Sequence, residues 1–189
     1  MIRVTPATSR RVLDALGFGP LQARNFDPVG ADQGPTISAG ALYVFKAPAA
    51  LPGTRSKLWT IVSTAGSTLT AGQNWMGLYD PAGEQVGATA DLTTAFASAQ
   101  ILGADLVTPY AGPPGDYWVG ILANGGTPPV FLAGTLLTKS SSSVGNAGHT
   151  AADGYRFGFA GTGHETLPES FDPSAIDPNM GAPIWVGIS

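Results

Sequence analysis

Three stretches of the chain place no polar side chain on either face of a strand: Trp75-Met76-Gly77-Leu78, Trp118-Val119-Gly120-Ile121 and Trp185-Val186-Gly187-Ile188. Strand side chains alternate, so in each quartet Trp and Gly share one face while Met or Val and Leu or Ile share the other. A strand that is apolar on both faces is a central one, covered by a second sheet on one side and by more chain on the other. The glycine leaves bare backbone that a neighbouring aromatic ring can cover. The quartets are therefore expected to be three strands of one sheet. Their offsets, 43 and then 67 residues, are too unequal for a solenoid or propeller. The rival reading is a tryptophan platform that stacks sugar rings.

Apolar alternation elsewhere predicts strands over 37–47, 57–64, 73–80, 85–90, 105–108, 117–124, 130–138, 155–160 and 184–188, with 91–102 ambiguous. Asp80-Pro81-Ala82-Gly83 has the residue preferences of a type I turn and predicts a hairpin. Gly- and Pro-rich runs at 111–115 and 124–129 bracket the second quartet. One segment reads as helix, with Thr5 as N-cap, Pro6 at the first position, Val12, Leu13 and Leu16 as a stripe and Gly17 as the stop. The expected fold is all-β: a single antiparallel β-sandwich, jelly-roll-like, over 36–189, preceded by a short N-terminal helix or arm over 1–35. Residues 139–153 and 161–183 are expected to be surface excursions or contact loops.

Composition narrows the chemistry. Charged residues are 12% of the chain, about half the usual share, with 26 Gly and 16 Pro. A hydrophobic fraction of 43% and a net charge of −4 exclude the signature of disorder. With no cysteine there is no disulfide framework, thiolate zinc site or cysteine nucleophile. A sequence pI near 4.9 and nine scattered Lys and Arg argue against nucleic-acid binding. Apolar runs such as 117–123 fall far short of the roughly 20 residues that span a bilayer, and the N-terminus lacks the apolar core of a secretory signal, so a soluble protein without a membrane partner is expected.

The two histidines, His149 and His164, fall in predicted loops, and no G-x-S-x-G, H-E-x-x-H or G-x-x-x-x-G-K-[ST] motif is present. His164 and Glu165 are adjacent, which reads as solvated loop rather than a metal site. Glu169, Asp172 and Asp177 are a carboxylate set of the kind calcium prefers, but their spacing fits no known loop and the interleaved prolines favour a turn-rich connection. No catalytic residue, cofactor or metal is expected.

Residues 13–21 (LDALGFGPL), 56–91 (SKLWTIVSTAGSTLTAGQNWMGLYDPAGEQVGATAD) and 109–134 (PYAGPPGDYWVGILANGGTPPVFLAG) resemble β-sandwich modules in virion proteins of phages infecting actinobacteria, modules usually labelled minor tail proteins. The resemblance implies a non-enzymatic structural or host-contact role, with no catalytic residues to carry over. Such modules often end a longer polypeptide, whereas here the module is almost the whole sequence and no heptads accompany it. A minor tail protein or capsid decoration protein sitting on the virion lattice is therefore expected, as a homo-oligomer contacting other virion proteins. The docking arm would use Leu13, Leu16 and Phe18 as apolar anchors and Arg10 and Arg11 as rim contacts. A second resemblance, of AGPPGDYWVGI to the turn-then-Tyr strand of extracellular sandwiches and carbohydrate-binding modules, supports an alternative: binding to host cell-wall glycan.

Overall fold

A computed structural model describes residues 21–26, 31–134, 155–178 and 182–189. The proposed N-terminal helix and its docking residues Arg10, Arg11, Leu13, Leu16 and Phe18 lie outside the described residues, as does all of 139–153 with His149. The strands run β1 (Ala23–Arg24), β2 (Ala31–Thr36), β3 (Tyr43–Ala49), β4 (Gly53–Thr64), β5 (Ser67–Leu69), β6 (Trp75–Tyr79), β7 (Gln85–Ala88), β8 (Gln100–Gly112), β9 (Gly115–Leu122), β10 (Gly125–Thr127), β11 (Val130–Gly134), β12 (Phe157–Phe159) and β13 (Val186–Ile188). A four-residue helix, α1 (Thr93–Phe96), occupies the ambiguous segment and buries Phe96 edge-on against Phe131.

The fold is the all-β sandwich that the alternation predicts. Eleven strands pair in one antiparallel sheet that folds over on itself, and β5 and β10 form a separate two-stranded ribbon. One half contains β8, β4, β11, β2 and β13; β11 and β13 lie end to end along the same edge of β4. The other half contains β12, β3, β9, β6 and β7. Two-residue β1 links the halves through β13 and β3, and a bridge between Thr89 and Leu106 brings β7 back to β8. β1 and β2 both fall within the segment set apart as the arm, yet both pair in the sheet.

The quartets account for the core. Their second and fourth residues, Met76, Leu78, Val119, Ile121, Val186 and Ile188, all point into the space between the halves and join one cluster. β6 and β9 are neighbours with Gly77 directly opposite Gly120, whereas β13 lies in the other half, separated from β9 by β1 and β3. The ring that covers the glycine pair is Tyr79: a Cβ on Gly120 would lie 2.8 Å from its Cε2, and one on Gly77 would lie 2.9 Å from it. Trp185 plays this part for Gly187 in its own quartet, and Trp59 for Gly103 across the β4–β8 pair. Aromatic rings on glycine backbone let the sheet keep apolar surfaces on both sides.

The outward faces of the quartets are covered by different parts of the chain. Over β3, β9 and β6, residues 161–178 lie as a strap. His164 N–H donates to the Gly40 carbonyl at 2.9 Å, the Tyr79 hydroxyl donates to the Pro168 carbonyl at 3.1 Å, and Phe171 N–H donates to the Gly83 carbonyl at 3.0 Å. Beneath the strap Trp118, Tyr79, Leu42, Val44 and Leu122 are buried. Over β13 and β4, Leu21 and Phe26 cover Trp185. The expected surface excursion at 161–183 is thus largely a lid on the sheet rather than a free loop.

The Asp80 turn closes the β6–β7 hairpin as its residues predict. Gly83 N–H donates to the Asp80 carbonyl at 3.0 Å, and Asp80 Oδ1 accepts from the N–H groups of Ala82 and Glu84. Gly83 holds φ +89°, and a Cβ there would strike the Phe171 carbonyl oxygen, so glycine is required both by conformation and by the strap above it.

Candidate interaction surface

The residues that looked chemical in the sequence are used structurally. Asp172 caps the short 3-10 turn Pro173–Ala175 by accepting from the Ser174 N–H and hydroxyl, and these bonds hold its carboxyl below the ordinary range. The backbone of Asp177 pairs with Phe159, and the Glu169 carbonyl accepts from Gln85 N–H. His164 anchors the strap through its backbone, its carbonyl accepting from Asn124 Nδ2 at 2.9 Å. Glu165 is exposed. Among the described residues, no three His, Cys, Asp or Glu side chains converge.

A polar network organises one end of the sandwich. Buried Asn74 donates through Nδ2 to the Thr70 carbonyl and Thr93 Oγ1, and its Oδ1 accepts from Asn124 N–H at 3.0 Å. Asp91 Oδ1 accepts from Asn74 N–H at 3.2 Å and Thr93 Oγ1 at 3.0 Å. Desolvation pushes the Asp91 carboxyl up, but the bonds from the Thr93 hydroxyl and from the Gly72, Asn74 and Thr93 N–H groups outweigh it and leave it below the ordinary range. A depressed carboxylate contributes stability that is present above its unfolded pKa and lost as pH falls through its folded one. Asp91→Asn should therefore lower the thermal midpoint at about pH 7, and the difference from the unaltered protein should shrink as pH falls below the ordinary carboxylate range. A loss that stays constant throughout an acid titration would assign the effect to geometry and not to charge.

The tryptophans of the second and third quartets do not form an exposed platform: Trp118 is 1% and Trp185 0% exposed. The uncovered apolar surface lies instead on β4 and β8. Leu58, Thr60 and Val62 of β4 and Leu102, Ala104 and Leu106 of β8 point inward. The outward residues pair as Ile61 with Ile101, Trp59 with Gly103 and Lys57 with Asp105. Between Arg55–Tyr110 and Lys57–Asp105 the register shifts, with Ser56 facing the four residues 106–109, so β8 bulges outward there. Val107 in this bulge is 72% exposed and Ile101 is 42% exposed. One exposed ion pair, Lys57 to Asp105 at 3.0 Å, crosses the stripe.

Among the described residues, this half of the sandwich has no counterpart of the 161–178 strap over β8. Leu21, Phe26, Trp59 and Ile61 pack against Trp185, while Ile101 and Val107 stay open. Sequence reading misses the stripe because β8 carries apolar residues on both faces, as in Ile101-Leu102 and Leu106-Val107. That doublet pattern in an otherwise polar strand is the signal for it. Compared with known protein families, curated proteins and solved structures, the chain matches none.

Proposed function

We propose that the chain is a non-enzymatic structural protein of a phage virion, a minor tail or capsid decoration protein that docks on the lattice through the outward face of β4 and β8. The observation that carries this reading is the asymmetry of the sandwich among the described residues: one outward face is roofed by the strap, while the other presents Ile61, Ile101, Trp59 and Val107 around the Lys57–Asp105 ion pair. An exposed apolar stripe on a charge-poor protein is what an assembled component buries. Its supporting context is the resemblance of residues 56–91 and 109–134 to actinobacteriophage virion modules. Leu21 joins the sandwich against Gly187 on this same half. A stable lattice contact buries about 1,200–2,000 Å² in total, so the stripe would be the centre of a larger interface.

The test is a mass-spectrometric inventory of purified virions separated into heads and tails, combined with Ile101→Asp and Val107→Asp in a reconstitution assay. The protein should be found in one fraction, and each variant should fold normally but join the virion at least tenfold less. Absence from both fractions, or normal incorporation of both folded variants, overturns the reading.

A further inference from the structure

The strap is a loop closed at its base. Phe159 and Asp177 exchange both backbone hydrogen bonds, at 2.9 and 3.0 Å. Ile176 and Asp177 lie directly on Gly158 of β12, where a Cβ would strike the Asp177 carbonyl oxygen and the Ile176 side chain. The chain therefore leaves β12 and returns to it, and the segment between can move without disturbing either half of the sandwich. Gly161 and Gly163 hold φ of +121° and +79° at the departure, a conformation that suits glycine, and a Cβ on Gly163 would meet nothing within 4 Å. At the return stand Asp172 and the short turn Pro173–Ala175 that it caps.

Between those points the strap is held at two ends. At the near end His164 N–H donates to the Gly40 carbonyl, and the His164 carbonyl accepts from Asn124 Nδ2, both at 2.9 Å. At the far end the Tyr79 hydroxyl bonds the Pro168 carbonyl, Gln85 N–H donates to the Glu169 carbonyl at 2.7 Å, and Phe171 N–H donates to the Gly83 carbonyl. In the crossing between them Leu167 rests on Gly77. No residue from 161 to 172 is itself buried, although Trp118, Tyr79 and Leu122 beneath them are. Few buried contacts and backbone bonds close to solvent mark a segment that opens apart from the rest of a fold. Asn124 differs from the other holding groups. It is only 9% exposed, its Nδ2 is shared between the carbonyls of His164 and Gln73, and its own N–H is bonded to Asn74 Oδ1 in the polar network at the end of the sandwich.

We propose that the strap is a lid that opens as one unit, hinged at Gly161–Gly163 and at Asp172–Pro173, with Asn124 as its latch. Opening bares Trp118, Tyr79 and Leu122 on the half of the sandwich that does not carry the β4–β8 stripe, while the strand pairing of both halves stays intact. The inference does not depend on the virion role.

The experiment is amide hydrogen exchange on the full chain, with one variant at each end of the strap read out at the opposite end. Corrected for intrinsic rates, the His164, Phe171 and Gln85 amides should exchange within about threefold of one another and at least tenfold faster than the amides of β9, which is paired on both edges. Glu84 and Ser170 are exposed and directly opposite each other at the far end, and their neighbours make the bonds, so they form a non-hydrogen-bonded pair. Such pairs stand about 4.5 Å apart at Cα, within reach of a disulfide. The chain has no cysteine, so Glu84→Cys with Ser170→Cys supplies a single cross-link. Once oxidised it should slow exchange at His164, at the other end, at least tenfold, and reduction should restore it. Asn124→Ala should speed exchange at Phe171 and Gln85 at least threefold and leave β9 unchanged. Asn124→Asp, which keeps the shape but not the donors, repeats that test should the alanine variant fail to fold. Strap amides that exchange no faster than those of β9, a His164 amide indifferent to the cross-link, or a response to the Asn124 variant confined to the near end overturns the proposal.

Discussion

Replacing Arg55 by alanine is expected to destabilise the protein by about 3 kcal/mol or more, although arginines are mostly exposed in folded proteins. Its side chain is fully buried. Nη1 donates to the Gly53 carbonyl at 2.8 Å and the Gly112 carbonyl at 3.0 Å, and Nη2 donates to the Pro113 carbonyl at 2.9 Å. The guanidinium carbon lies 4.0 Å from the centre of the Tyr117 ring, and the Tyr117 hydroxyl donates to the same Pro113 carbonyl at 2.8 Å. The cation therefore ties the start of β4 to the end of β8 and to the turn into β9, with carbonyl dipoles and a π face as its solvation shell. Alanine would remove the guanidinium donors from the Gly53, Gly112 and Pro113 carbonyls, of which Pro113 keeps the Tyr117 hydroxyl, at about 1–3 kcal/mol for each group left unsatisfied, and would open a void against Tyr117. Arg55→Lys keeps the charge but lacks the planar fork that reaches three acceptors, so it should recover only part of the loss. Urea unfolding measures both, and a loss below about 1 kcal/mol for alanine would mean that water replaces the side chain without cost.

The reversal at Arg55 shows where sequence reading stops. Arg55 and Lys57 share parity and would point the same way in a regular strand, yet Lys57 faces solvent and Arg55 faces the interior. The shift of register between them turns the strand over, and it is set by the four-residue bulge on β8, a partner about 50 residues away. Local chemistry was legible for the same reason that this was not. The Asp80 turn depends on Asp, Pro and Gly within four residues, and the quartets depend on alternation within four, so both are found as expected. β1 and β2 carry little apolar alternation and exist because β13 and β11 offer them edges. Residues 161–178 look like an excursion because Pro, Asp and Glu dominate them, while the apolar contacts that hold them, Leu167 on Gly77 and Phe171 on Trp118, are spaced too irregularly to register as an element. The open stripe on β8 was hidden by its own doublets.

Trp118→Ala should cost about 3–5 kcal/mol, the range for truncating a buried large aromatic. The ring is 1% exposed on the outward face of β9 and meets Phe171 of the strap edge-on, with centroids 5.7 Å apart and planes at 85°. Phe171 also meets Tyr79 edge-on at 5.2 Å, and Tyr79 is the ring that covers Gly77 and Gly120. Loss of the indole therefore removes the support of Phe171 as well as its own contacts, and the strap should loosen before the sandwich unfolds. Amide exchange should rise first at 164–171, where the backbone bonds to Gly40, Gln85 and Gly83 hold the strap down. Trp118→Phe keeps an aromatic edge under Phe171 and should cost clearly less, with exchange in the strap closer to that of the unaltered protein. A loss under about 1 kcal/mol for alanine, with strap exchange unchanged, would place the indole outside the core and return it to the role of a sugar-stacking surface.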